Sequence, residues 1–468
     1  MLKVVESSAN DNRKDQGLEG LVAALARLVD EQVGANCSFT EREAALLMAA
    51  NEAVRCALQA ELQRQADELG NELWIGGLLY RRHQPGTVRY FSLCGELKVY
   101  RYTYRHLGER NGPTLVPVEL VTGLVEGATP ALAYSLAQGY AKAPVRSVRQ
   151  DLLAAHRSPP SRCTLERMAQ AIGTKVKEKL CIVEPVVRQQ EVVSPEAVAI
   201  NLGLDRTTIP MAETEHAADG RPKIVVNYRM AYVGTVTLTD TEAEPLMTRR
   251  YAAPAHQGPH GVIARMMADL RHCLESKPEL NIGVVQDGAP ELWNLMRDAL
   301  RADPALRQKG WRETVDFYHL MEYLARVLAV LVDDEAQRHQ QLCTWRQALE
   351  RSDRAIHRIR RWIDEKARHV PYTSRRYAEF CRVSGCYLIY TPHFKYASLK
   401  PLGLYRGSGV TEGACKSLIA IRAKRSGQRW RPTGIDAVLA LRSLLDSDRL
   451  QAFWSLFAIN YTRACIAA

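Results

Sequence analysis

The stretch NIGVVQDGAPELWNLMRDAL, residues 281–300, constrains the fold more than any other part of this chain. Residues 282–285 are an apolar run of strand length, and Asp287-Gly288 is a turn signal. Pro290 suits a first helical turn, and Leu292, Leu295, Met296, Ala299 and Leu300 then recur at helical spacing. A strand that passes through so short a turn into an amphipathic helix belongs to a sheet with helical cover. The neighbouring segments agree. AVAINLGLDRTTIP and KIVVNYRMAYVGTVTLTD have strand composition, HGVIARMMADLRHCLES is an amphipathic helix, and TVDFYHLMEYLARVLAVLV passes from a short strand into a helix. Residues 191–320 therefore read as an α/β unit.

The flanks read differently. In residues 1–110, Leu18, Leu21, Val22, Leu25, Leu28 and Val29 form a helical stripe. A second helix starts near Glu41, with Ser38 or Thr40 as cap, and the pair suits packing or dimerisation. Residues 86–106 alternate as two strands joined near Cys94-Gly95. Lys98, Tyr100, Tyr102 and Tyr104 share one face there, which is either a half-buried sheet face or a grip on nucleic acid. Residues 111–190 are helical. APVRSVRQDLLAAH and the helix opening on Ser161, which carries Arg162 and Arg167, have the form of a helix-turn-helix, though plain helical hairpins share that form. IVEPVVRQQEVVSPE reads as a linker. Residues 321–405 are helical and basic, with eleven Lys and Arg between Arg338 and Arg376. Ile356, Ile359 and Ile363 share one helix face there, surrounded by Arg354, Arg358 and Arg361. So dense a basic face suits phosphate tracking. Residues 406–468 supply the last helices.

At 468 residues the chain is long enough for two to four domains, and 46% hydrophobic content excludes wholesale disorder. A formal charge of +11 points to a polyanionic partner, nucleic acid before membrane. No 18-residue apolar run exists, so no membrane span is expected. The N-terminal stretch lacks the apolar core of a signal peptide. Eleven scattered cysteines without a CxxC pair fit a reducing cytosol. Cys381 and Cys386, with His369 or His393, could form a zinc site, but isolated buried thiols are the simpler reading.

Three acids sit where strands or turns would hold them rigidly. Asp205 ends the apolar run Val198, Ile200, Leu202, Leu204 and shares the opposite, small-residue face with Asn201 and Gly203. Asp287 follows an apolar strand, a favoured place for active-site residues in open α/β sheets. Glu412 opens a helix after Gly-Ser-Gly. Singly, these read as a strand-end acid, a turn residue and a helix N-terminal acid. Together, in a basic chain, they match a two-metal phosphoryl-transfer site, where carboxylates hold two Mg²⁺ ions about 3.5–4 Å apart. Lys416 lies one turn after Glu412, and Arg422, Lys424, Arg425 and Arg429 follow as candidate DNA contacts.

GLDRTTIP, VVQDGAPELWN, DFYHLMEYL and GSGVTEGACKSLIAIRAKRSGQRW resemble bacterial insertion-sequence transposases of the ISKra type, within the DDE class. The resemblance covers roughly residues 90–455. It implies a multidomain α+β protein: an RNase H-like catalytic core, an all-helical insertion and an N-terminal helix-turn-helix region for DNA. It places the three acids at Asp205, Asp287 and Glu412, separated by 82 and 125 residues. Asp316 and His319 look like the [Cys/Asp]-x-x-His motif of the Mutator-like group, which puts His319 near the scissile phosphate; a satisfied core histidine is the ordinary reading. Related transposases stack a flipped base on an insertion aromatic, which would be Trp345 or Trp362 unless both are core residues. The implied partners are double-stranded DNA and a second copy of the chain or a larger assembly. The implied cofactor is Mg²⁺, with Mn²⁺ as substitute. The implied place is the bacterial cytoplasm at the nucleoid. The rival readings are a non-catalytic DNA-binding derivative and an RNase H-like nuclease that cuts without joining.

Overall fold

Two helices begin the described chain, α1 (Asp11–Val33) and α2 (Phe39–Glu68). Ser38 caps α2 in a capping box: its hydroxyl accepts the Glu41 N–H at 3.3 Å, and Glu41 Oε2 accepts the Ser38 N–H at 2.8 Å. Val29, Ala45 and Ala49 pack between the helices, while Leu21, Val22, Leu28, Leu47 and Met48 stay exposed. The computed structural model describes residues 11–34, 36–108, 112–216, 221–384 and 392–462. These form two compact units, one up to Lys175 together with the chain from Trp454, the other from Val176 to Phe453. Helices and strands are mixed in both.

The first unit contains a four-stranded antiparallel sheet in sequential order, β1 (Glu72–Ile75), β2 (Leu78–Ser92), β3 (Gly95–His106) and β4 (Thr114–Leu115). The β2–β3 hairpin turns between Ser92 and Gly95. Tyr90, Leu97 and Val99 are buried against Leu62 and Ala66 of α2. Lys98 and Tyr100 are exposed, but Tyr104 is buried and its hydroxyl donates to the Gly70 carbonyl at 2.6 Å. The tyrosine face is thus half buried. Helices α3 (Pro117–Val121), α4 (Pro130–Lys142), α5 (Val145–Ala154) and α6 (Arg162–Gln189) follow. Ser161 Oγ accepts the Thr164 N–H at 3.3 Å where α6 begins. Residues 182–189, expected as linker, are instead the last turns of α6, which runs through Pro185. Val183 and Val187 are buried there. Glu184 pairs with Arg265 at 2.8 Å and Arg188 with Asp269 at 2.6 Å, so tertiary contacts hold turns that a proline weakens.

The second unit is built on β5 (Ala199–His216), β6 (Pro222–Thr239), β7 (Pro245–Pro254), α7 (His260–Ser276), β8 (Asn281–Gln286), α8 (Pro290–Ala302), α9 (Pro304–Lys309), β9 (Arg312–Val315) and α10 (Phe317–Leu331). Its five strands lie in the order β7-β6-β5-β8-β9. The first three in sequence are antiparallel, and β8 and β9 run parallel to β5. The parallel strands are reached through helical crossovers, as parallel pairing requires. Asp205 is not at a strand end, as its apolar run suggested. It lies mid-strand, three residues past Leu202, where pairing with β8 stops.

Helices α11 (Glu335–Arg351), α12 (Ala355–Ala367) and α13 (Arg375–Ser384) occupy the basic stretch. Ile356, Ile359, Ile363, Trp345 and Leu349 share one continuous core with Leu320 and Leu324 of α10 and with Leu202 and Val284 of the sheet. Trp345 is buried and Trp362 half-buried; they meet edge to face at 5.1 Å, which is core packing. The chain ends with α14 (Gly409–Ala414), a widened π-helical segment (Cys415–Ala420), α15 (Ile421–Ala423), α16 (Pro432–Leu445) and α17 (Leu450–Thr462). The reading of Cys381 as an isolated buried thiol fails, because it is exposed. Of the nine cysteines described, only Cys94 and Cys273 are buried and five are exposed. Cys381 is exposed, and Cys386, its suggested zinc partner, lies outside the described residues. Among the described residues no helix is long and apolar enough to cross a membrane.

Candidate active site

The small face of β5 explains how the third acid reaches the sheet. A Cβ on Gly203 would lie 1.9 Å from Thr411 Oγ1 and 2.9 Å from Thr235 Oγ1. Only glycine lets α14 come this close. Thr235 and Thr411 then share a hydrogen bond at 2.8 Å, pinning α14 to β6 as well. Asp205 is two residues past Gly203 and Glu412 one past Thr411, so this contact sets the two carboxylates beside each other.

Asp287 stands one residue past β8, the parallel neighbour of β5, and its Oδ1 accepts the Ala289 N–H at 3.0 Å. Burial raises the Asp205 pKa, and the charges of Asp287 and Glu412 raise it further. The Arg206 N–H at 2.6 Å and the Cys415 thiol at 3.3 Å work in the opposite direction. Burial, with the Asp205 charge next, pushes the Cys415 thiol far up, so it stays a donor to that carboxylate.

Asp316 and His319 flank Glu412. Asp316 caps α10, its Oδ1 accepting the His319 N–H at 2.8 Å. Its carboxylate is 1% exposed. Burial would raise its pKa, yet contacts from His319 and Ser408 outweigh that and hold it at about 2. His319 Nδ1 lies 3.3 Å from Asp316 Oδ1 and 4.0 Å from Glu412 Oε1. The Asp316 contact, followed by the charges of Asp316, Glu412 and Asp287, overcomes desolvation and lifts His319 to about 9. The imidazole is therefore a cation at neutral pH.

Ligand atoms of Asp316, His319 and Glu412 lie within 4.8 Å of one another, a spacing that could hold a metal. Chemistry argues against that set. Asp316 Oδ1 already faces two nitrogens of His319, and Oδ2 accepts both the N–H and the hydroxyl of Ser408, the latter at 2.7 Å. The His319 N–H and the two Ser408 donors already occupy three of the carboxylate's acceptor sites. His319 would first have to give up the proton that Asp316 favours. Asp205, Asp287 and Glu412 offer only oxygen donors, which suit a hard divalent cation, but among the described residues only the ligand atoms of Asp316, His319 and Glu412 come within 4.8 Å of one another. Ser408 adds a reason: its hydroxyl lies 2.8 Å from Glu412 Oε1 as well as against Asp316, but it has one proton to give. Whenever that proton serves Asp316, Glu412 is left with open acceptor capacity.

Among the basic candidates, Lys416, Lys424, Arg425 and Arg429 are exposed. Lys424 Nζ donates to Thr207 Oγ1 at 2.6 Å, which ties this cation to β5 two residues past Asp205. Lys416 lies in the π-helical segment, whose wider turn alters the facing expected of an ordinary helix. Arg422 is a correction. It is 1% exposed and stacks on Trp430 at 4.8 Å, so it is a buried packing residue, not a surface contact. Arg358 and Arg361 are exposed on α12, opposite its buried isoleucines. Arg162 and Arg167 are exposed on the first turns of α6, in the other unit. Arg206 pairs with Glu291, which also accepts from the Tyr232 hydroxyl at 3.2 Å, so its guanidinium is engaged away from Asp205. Sequence reasoning missed Ser408, Cys415 and Thr411. The close spacing of Ser408 and Thr411 to Glu412 was the available signal.

The chain matches no family model and no curated protein, so no sequence match supports the ISKra-type assignment. Among solved structures, the Drosophila P element transposase strand transfer complex is similar over 71% of this chain and 81% of that chain, at 11% identity and a TM-score of 0.24. A likeness that distant leaves the functional reading to rest on the chain's own residues.

Proposed function

We propose that the chain is a DNA transposase whose RNase H-like core cleaves transposon ends and transfers the freed strand to target DNA. The single observation that carries the reading is geometric: Asp205 and Asp287 each lie three residues past the paired Leu202 and Val284, and α14, which carries Glu412, packs on Gly203 through Thr411. The sheet supports it: the antiparallel β5–β6–β7 and parallel β8 and β9 place an acid on the first strand, one just past the fourth, and one on a late helix. Helices α11–α13 between Asp287 and Glu412 fit the expected insertion.

The three carboxylates would hold Mg²⁺, with Mn²⁺ as substitute. When bound, the ions would activate the attacking water or 3′-hydroxyl and stabilise the leaving oxygen. The chain's own residues do the rest. Asp316 and Ser408 orient His319 and Glu412. The His319 cation meets a phosphate beside the acids. Lys416, Lys424, Arg425 and Arg429 track the flanking strand, and Arg162, Arg167, Arg358 and Arg361 add further DNA contacts. Joining two ends calls for a dimer or larger assembly at the bacterial nucleoid.

A joining assay tests this. The purified chain, Mg²⁺, donor DNA carrying the sequence that flanks its gene, and a target plasmid are combined, with Asp287→Asn run beside it. Joined product from the native chain alone is expected. Cleavage without joining would favour a nuclease. Retained binding with no reaction from either protein would favour a DNA-binding derivative.

A further inference from the structure

Two cavities open where strands β8 and β9 begin. One, of about 410 Å³, has Arg307, Glu313, His393 and Lys395 in its wall. The other, of about 340 Å³, has Asn281, Ile282, Lys309 and Leu402. Gly310, Trp311 and Arg312 line both, so the two adjoin and form one trough. All of its residues belong to the second unit. The trough is not the candidate active site. Asp287 and Asp316 each stand one residue past the ends of β8 and β9, whereas Asn281 and Arg312 are the first residues of those strands. From Asn281 to Asp287 the chain advances about 20 Å, at roughly 3.3 Å per residue.

Cations without partners dominate the walls. The side chains of Arg307, Arg312 and Lys395 are exposed and have no hydrogen-bond or ion-pair partner among the described residues. Lys309 gives one proton to the Pro278 carbonyl at 2.6 Å and keeps its charge and two further protons. Arg307 and Lys309 lie in the last turn of α9, where cations suit the helix dipole. That does not account for Arg312, which comes from β9, or for Lys395, which comes from the segment between α13 and α14. The one acid in the walls, Glu313, is already neutralised. Arg297, which lines neither cavity, donates to its Oε1 at 2.9 Å and its Oε2 at 2.6 Å. The Trp311 indole N–H donates to Oε1 as well, at 3.1 Å, which fixes this half-buried ring where the two cavities meet.

Four positive charges from three segments, converging around a fixed aromatic ring, are the combination that grips a nucleic-acid strand: cations for the phosphates and a ring for a base. Cavities of a few hundred Å³ take a ligand of nucleotide size. A duplex keeps its base faces stacked inside and would offer Trp311 none.

We propose that this trough binds single-stranded DNA, with successive phosphates on Arg307, Lys309, Arg312 and Lys395 and a base against Trp311. Phosphates and base faces are common to DNA and RNA, and the choice of DNA rests on the transposase reading. The trough holds strand away from the acids, so it adds affinity without entering the chemistry.

The test uses the full-length chain without Mg²⁺. It reads binding alone, so it stands whether or not the chain cuts or joins DNA. Fluorescein-labelled oligothymidylate is titrated over a series of salt concentrations against the native chain and the triple variant Arg307→Ala, Arg312→Ala, Lys395→Ala. Since all three side chains are exposed and unpaired, the variant should melt like the native chain. Each lost phosphate contact lowers the log–log salt slope for a single strand by about 0.7, so the variant should be shallower by about 2. In a second arm, oligothymidylate carrying one 5-iodouracil is irradiated on the native chain and the linked peptide is identified by mass spectrometry. Trp311 should carry the link, and the same strand annealed to oligoadenylate should leave Trp311 unlinked. An unchanged salt slope in the folded triple variant overturns the proposal. So does a bound strand that links elsewhere but not to Trp311, or a duplex that links Trp311 as well as the single strand does. Oligouridylate with the same 5-iodouracil is run beside it, and a stronger link to Trp311 from that RNA would overturn the choice of DNA.

Discussion

Replacing Gly203 by alanine should damage both stability and chemistry, through one contact. The added Cβ would stand 1.9 Å from Thr411 Oγ1, and a real Cβ needs at least 3.0 Å, so α14 or β5 has to move by about 1 Å. Overpacking of this kind costs about 1–3 kcal/mol. For a folding unit of this size that lowers the melting temperature by about 2–12 °C. Glu412 adjoins Thr411, so the same shift moves a carboxylate of the site, and a displacement near 1 Å costs on the order of 10²-fold in rate. The readouts are thermal unfolding and cleavage of end DNA, with Thr411→Ala as partner variant. Deleting Oγ1 leaves the nearest Thr411 atom, its Cβ, 3.1 Å from the new methyl, so the double variant should be more stable than Gly203→Ala alone. A Gly203→Ala chain that melts and cuts like the native one would refute the idea that this glycine brings the acids together.

Two further outcomes follow from burial and charge. Arg422→Ala should lower stability by about 2 kcal/mol, through loss of its stacking on Trp430, whereas exposed Arg425→Ala should leave the melt unchanged and reduce the salt slope of DNA binding by about 1; equal salt slopes in the two variants would contradict this. His319 titrates near 9 in the fold against 6.5 unfolded, so its contribution to stability is full below pH 6.5 and is lost as pH rises through 9. Saturating Mg²⁺ should lower that value, because Glu412 and Asp287 help to hold the proton; an NMR titration of the ring that is insensitive to Mg²⁺ would go against the assigned ligands.

Much of the local structure was legible in the sequence because it depends on local chemistry. The Ser38 cap, the turn at Cys94-Gly95, the strand–Asp287–helix passage and the buried isoleucines of α12 all follow from spacing and turn residues. What escaped depends on contacts between distant segments. The course of α6 through Pro185 rests on partners some 80 residues away in α7. Arg422 reads as one more surface cation until the fold folds Trp430 back onto it. The small-residue face holding Gly203 is visible in the sequence, but nothing local says that Thr411 packs against it. The two roles of Ser408 likewise appear only once Asp316 and Glu412 are brought to either side of it.

The most direct measurement is anomalous diffraction at the manganese edge from crystals grown with Mn²⁺. The expected result is metal density bounded by Asp205, Asp287 and Glu412, with Asp316 and His319 still paired beside it. Density held instead by Asp316, His319 and Glu412, or none at the three acids at saturating Mn²⁺, would contradict the assignment of those acids as the metal-binding centre.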